Sequence, residues 1–169
     1  MEPCAARLDQ PLYNHVTPFK GKGDVLSNFY PCQLRVFDRD FKSSEHAYQY
    51  MKALSCRDQD MAREICKLDC PREVKILSVK MKTNDEWKRA KLDIMREIIT
   101  AKAEYVPEYK EALLSANQII AEAVPDDCYW SSGLSKEEIV WVDTLNWPGH
   151  NVMGRLHMEL REKIRSDKV

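Results

Sequence analysis

The run over residues 84–103 constrains this chain more than any other. Asn84-Asp85 supplies an N-cap, Trp87, Ala90, Ile94, Ile98 and Ala101 recur on one face at helical spacing, and Pro107 stops the run. A helix with one apolar face must bury it against another layer. The same spacing predicts shorter helices over 45–55, behind the cap candidates Ser43-Ser44, and over 58–67, 71–81, 109–115 and 152–164. Strand signals are fewer and short. Residues 16–19 read as a strand, 20–24 as a turn, 25–30 as resumed extended chain, 33–37 as a half-buried strand by alternation, and 119–124 as a buried strand. Asp38-Arg39-Asp40 reads as a tight turn and 125–135 as a loop. The expected fold is α+β, a mostly helical single domain with a few short strands over 15–166, preceded by a loose tail over 1–14.

Composition narrows the function classes. With 26 basic against 27 acidic side chains the net charge is -1, so nothing draws the whole chain toward nucleic acid or an anionic membrane. No apolar run approaches the roughly 20 residues that cross a bilayer, and residues 1–14 lack the apolar stretch of a secretory signal. Six cysteines form no CxxC pair, and Cys66 and Cys70, one helical turn apart, have no histidine to complete a zinc set. They read as reduced thiols, which predicts an intracellular protein of the cytoplasm or nucleus with no metal.

Three separated segments are neither ordinary core nor ordinary turn. Leu26-Ser27-Asn28-Phe29-Tyr30-Pro31 is followed by Ser44-Glu45-His46-Ala47-Tyr48-Gln49. Trp87 heads the long helix. Glu122, Asp127, Trp130 and Gly133 lead to Trp147-Pro148-Gly149-His150-Asn151-Val152-Met153-Gly154. Together, over about residues 16–163, these resemble the NADAR family, named for its link to NAD and ADP-ribose. Its pattern is LSNFYP, S-x-E-H-A-Y-Q, a Trp before a long helix, D-x-x-W, and W-x-G-N-x-x-G before a terminal helix. Two departures stand out: His150 enlarges the last motif, and Ser131-Ser132 follow Trp130 where the family often has Trp-Gly. A side chain then sits where backbone would approach a ligand. The resemblance implies cleavage of N-glycosidic bonds, on ADP-ribosylated guanine or on ribosylated pyrimidine intermediates of riboflavin synthesis. It implies ADP-ribose as the product of the first reaction and no cofactor. A noncatalytic module binding ADP-ribose or NAD is the reading from another class.

Opening an N-glycosidic bond builds positive charge on the sugar, and a fixed carboxylate can stabilise that charge or activate water. Glu45, in the first turn of its helix, is the first candidate, and the helix N-terminus favours its ionised form by about 0.3–1 kcal/mol. Asp127 is the second carboxylate, set against the ordinary use of a loop Asp as a backbone cap. Glu122, within an apolar run, is expected to brace the site. Phe29, Trp87, Trp130 and Trp147 are candidate stacking surfaces, whereas Trp141 reads as core. Asn28, His46, Gln49 and Asn151 offer hydrogen bonds to base or sugar, Ser27 offers backbone N–H groups to phosphate, and Gly133 belongs to the same binding loop. Lys102 and, less so, Lys82 are candidate contacts for phosphate or carboxylate.

Overall fold

Polar caps decide where several helices begin in the computed structural model, which describes residues 7–166. In chain order the elements are β1 (Val16–Phe19), β2 (Leu34–Val36), β3 (Arg39–Phe41), α1 (Ser44–Ser55), α2 (Gln59–Lys67) and α3 (Pro71–Ser78). They continue as α4 (Asp85–Tyr105), α5 (Pro107–Ser115), β4 (Ile119–Glu122), α6 (Lys136–Ile139), a 3-10 turn (Thr144–Asn146) and α7 (Val152–Arg165). The fold is α+β and mostly helical, as expected. Ser43, Asp58 and Asn84 cap α1, α2 and α4 by accepting the backbone N–H three residues on. Pro71 starts α3, and Pro107, expected only to stop the long helix, also starts α5, where a missing N–H costs nothing.

The chain divides into two compact units, Gly21–Glu111 and the pairing of Met1–Lys20 with Ala112–Val169. In the first, α1 packs on α2, α3 and α4. Ala53, Ala62, Ile65, Val74 and Met81 are buried there, each large aliphatic side chain contributing about 1.5–3 kcal/mol. The predicted face of α4 is buried at Trp87, Ile98 and Ala101 and half-buried at Ala90 and Ile94. Two expectations are corrected here. The tight turn falls at Phe37 and Asp38, both at positive φ (55° and 58°), so Arg39–Phe41 is a strand. That register pairs Leu34 with Phe41 and buries both, which outweighs the turn preference of Asp40. Residues 25–30 are not extended: Ser27 donates to Asp24 O at 2.9 Å and Tyr30 to Ser27 O at 3.2 Å, giving successive turns.

In the second unit β1 pairs parallel with β4, from Val16↔Ile119 to Phe19↔Glu122. α7 packs on β4 and α6 on β1, and Val16, Ala121, Ile139 and Val140 form a buried cluster. Residues 7–12 of the expected loose tail make contacts with this unit. Leu8 and Leu12 donate to the carbonyls of Trp141 and Val140 at 2.8 and 2.7 Å, and the Arg7 guanidinium lies 4.3 Å from the Trp141 ring centre. Residues 1–6 of that expected tail lie outside the described residues.

Among the described residues no helix is long and apolar enough to cross a membrane, and no three His, Cys, Asp or Glu side chains cluster as a metal site. Cys32, Cys56, Cys66, Cys70 and Cys128 are free thiols, and Cys4 lies outside the described residues.

Candidate active site

The first turn of α1 is where Gly21–Glu111 concentrates its chemistry. A helix N-terminus has N–H groups with no partner inside the helix. The Glu45 N–H donates instead to the carbonyl of Asn28, at 3.0 Å. This bond joins the Ser27–Asn28 turn to the helix start, which is why the two motif segments act as one structural piece. The Glu45 side chain is 5% exposed, and one of its oxygens accepts a 2.8 Å hydrogen bond from the Gln49 amide one turn along. Gln49 and Ser44 are also buried, and neither the Gln49 Oε1 nor the Ser44 Oγ meets a hydrogen-bond partner. Three adjacent buried polar side chains, two with an unused atom, are an arrangement that folding alone does not favour.

Electrostatics reverses the direction expected for the Glu45 pKa. Burial pushes the Glu45 carboxyl above its ordinary value, while Lys75 of α3, the Gln49 hydrogen bond and Lys52 pull it back. Desolvation therefore outweighs the helix terminus, whose pull is only about 0.3–1 kcal/mol. A raised carboxylate is a stronger base than a surface one once ionised, which suits it to accept a proton. Lys52 was legible in the sequence, two helical turns from Glu45 on the same face. Lys75 was not, because only the packing of α3 on α1 brings it close.

Other predicted site residues of this unit divide by what holds them. His46 Nε2 lies 3.1 Å from the Leu68 carbonyl, so that nitrogen carries the hydrogen, and Nδ1 takes the Ser43 hydroxyl at 2.7 Å. Both ring nitrogens are spent, and His46 is a strut rather than a free substrate contact. Burial lowers its pKa, in keeping with a neutral ring. Ser27 Oγ accepts the Phe29 N–H at 3.1 Å, which leaves the Phe29 ring half-buried. The Asn28 amide approaches Met95 Sδ at 3.8 Å. Trp87 is 3% exposed and meets Tyr48 edge-on, with ring centres 4.9 Å apart, so it is core wall beneath α1. Two surface clefts of this unit, about 540 Å³ beside the β2–β3 hairpin and about 290 Å³ beside α4, are not lined by Glu45.

The second unit holds Asp127, Trp130, Gly133, Trp147 and Asn151. Residues 128–132 and 149–153 are zipped together: the N–H groups of Gly149, His150, Asn151, Val152 and Met153 donate to the carbonyls of Ser132, Cys128, Ser131, Tyr129 and Trp130. The first two donors of α7, the N–H groups of Val152 and Met153, are thereby satisfied. Gly149 is required by this approach, since a Cβ there would lie 2.2 Å from the Ser131 oxygen. Asn151 sits at φ 50°, and its side chain accepts from Glu122 N and donates to Ile120 O, both at 3.0 Å. Its amide is spent on β4, not offered to a ligand. Asp127 Oδ1 accepts the N–H groups of Tyr129 and Trp130, the backbone-capping use weighed against catalysis. Gly133 adopts φ 76°, and Trp147 donates its ring N–H to Val142 O while packing on the Val16 cluster. Trp130 is half-buried and edge-on to Tyr129 at 5.1 Å. Ser131 and Ser132 do not intrude: both are buried with their hydroxyls donated to Glu122 O, at 2.7 and 2.8 Å. Glu122 thus braces the loop through its backbone.

The NADAR domain profile matches residues 16–165. N-glycosidase R617 of Acanthamoeba polyphaga mimivirus is 28% identical over 147 residues, covering 82% of this chain and 86% of that protein. N-glycosidase YbiA of Escherichia coli (strain K12) is 29% identical over 172 residues, covering 97% and 98%. The NMR structure of E. coli YbiA superposes with a TM-score of 0.73 at 25% identity, over 97% of this chain and 93% of that one. The riboflavin biosynthesis protein PYRR of Zea mays is 29% identical over 155 residues, which are 83% of this chain but 23% of that protein.

Proposed function

The chain belongs to the NADAR family, and on that premise we propose that it is an N-glycosidase hydrolysing the bond between ADP-ribose and guanine, in nucleic acid or in a nucleotide. The observation that carries the proposal is Glu45: a buried carboxylate at a helix start, raised by desolvation and flanked by Lys75 and Lys52. Two relatives named as N-glycosidases support the bond type. As the bond to nitrogen opens, the sugar becomes cationic, and a desolvated anion stabilises it far better than water would. The same carboxylate, made more basic by burial, draws the proton from the attacking water. The chemical step rests on Glu45; in the other unit Asp127 caps the backbone of the loop that carries Trp130.

The net charge of -1 favours recognition of the modified nucleotide itself over a long phosphate backbone. The likeness to PYRR supports a second reading, hydrolysis of a ribosylated riboflavin intermediate, although this chain spans only 23% of that protein. A module that merely binds ADP-ribose has no need to bury a carboxylate, which costs stability unless it is used.

The test incubates the protein with an oligonucleotide carrying ADP-ribosylated guanine and, separately, with a ribosylated pyrimidine intermediate, with and without chelator. Release of ADP-ribose and restored guanine, unchanged by chelator, is the expected result. Turnover of the pyrimidine alone establishes the second reading, and tight binding of ADP-ribose with no product from either substrate overturns both.

A further inference from the structure

Lys102, near the end of α4, is 0% exposed, an unusual fate for a lysine. Its ammonium donates to two backbone carbonyls of the Ser27 turn, Val25 O at 2.6 Å and Ser27 O at 2.9 Å. It also faces the rings of Tyr109 and Tyr30, with centres 4.7 and 5.6 Å away. The charged and titratable groups around it are Asp24, Cys32 and Glu108 together with those two tyrosines. The next carbonyl along the turn, that of Asn28, receives the Glu45 N–H. The connection therefore runs from a buried cation through two consecutive peptide units to the N-terminus of α1.

We infer that Lys102 is the positioning residue that locks the Val25–Asn28 turn and, through the Asn28 carbonyl, fixes where Glu45 stands. Charge-assisted bonds to carbonyls are shorter and stronger than neutral ones, so a cation holds a turn that has no sheet to rest on. The ammonium is fully engaged inside the fold, which removes Lys102 from the phosphate contacts expected of it. Burial lowers its pKa to about 8, so the clamp loosens within an accessible pH range. Its catalytic consequence rests on the reading of Glu45 above. Its structural part does not.

Two measurements separate these parts. In a Cys32→Ser background, which removes the neighbouring thiol, NMR follows the Lys102 side chain and the amides of Asn28 and Glu45 as pH rises through about 8. The expected result is one shared midpoint, and a lysine that titrates while both amides stand still overturns the proposal. Lys102→Met keeps length and removes charge. It is expected to lower kcat by about tenfold to 100-fold, as a slightly misplaced catalytic group does, with KM little changed. An unchanged kcat in the folded variant overturns the proposal equally, and if the variant does not fold the NMR titration decides. Should Glu45→Gln prove fully active, the function reading falls while the shared midpoint can still stand.

Discussion

Glu45→Gln separates catalysis from folding more cleanly than any other change in this chain. The substitution keeps the shape and one oxygen to accept the Gln49 amide, and it removes a charge that is 5% exposed. Losing one preorganised electrostatic group at a reacting centre costs about 10²–10³ in turnover, or about 2.7–4 kcal/mol. We expect a loss of at least about 100-fold in kcat, read as ADP-ribose released from ADP-ribosylated guanine. Stability should move the other way. Burial raises the folded-state pKa of Glu45, so the folded chain holds a proton that the unfolded chain has already lost. Stability therefore falls as pH rises from the ordinary value near 4.5 through the raised one, and stays lower above it. Glu45→Gln lacks that fall, so its Tm at neutral pH is expected to equal or exceed wild type, by about 2–4 °C for each kcal/mol regained in a chain of this length. Wild-type turnover refutes the catalytic assignment. A large drop in Tm refutes the argument that a desolvated charge is held there against the fold.

The remaining expectations follow from bonds already described. His46→Gln should flatten the loss of stability on acidification: the folded ring has a lowered pKa, the unfolded one binds a proton near 6.5, and stability falls as pH drops through that value, as urea midpoints across it will record. Asn151→Ala removes the hydrogen bonds to Glu122 N and Ile120 O and should cost about 2–4 kcal/mol in denaturant unfolding; an unchanged midpoint with weakened substrate binding would restore the ligand role. Gly154→Ala drives a Cβ to 2.1 Å from the Ile120 oxygen and should destabilise by about 1–3 kcal/mol or more, read as a fall in Tm. Lys75→Met removes a cation that lowers the Glu45 pKa, so the acid limb of the kcat profile should move to higher pH.

The sequence by itself determined the elements with a local cause. The α4 face, the caps at Ser43 and Asn84, the short strands at 16–19 and 119–122, and the order of the motifs are all set by neighbours within a few residues. Glu45 was legible because a first-turn acid after a capping serine stands inside a rare string of residue types. What tertiary structure decided is which polar groups are spent. His46, Asn151 and Asp127 look in sequence like groups offered to a ligand, yet Leu68, β4 and the Tyr129–Trp130 backbone have taken them. Lys102 looks in sequence like a contact for phosphate or carboxylate, and only the fold brings the Val25 and Ser27 carbonyls, about 75 residues away, onto its ammonium. Burial also reversed the sign expected for Glu45, because desolvation depends on the tertiary packing around α1, which no local pattern encodes.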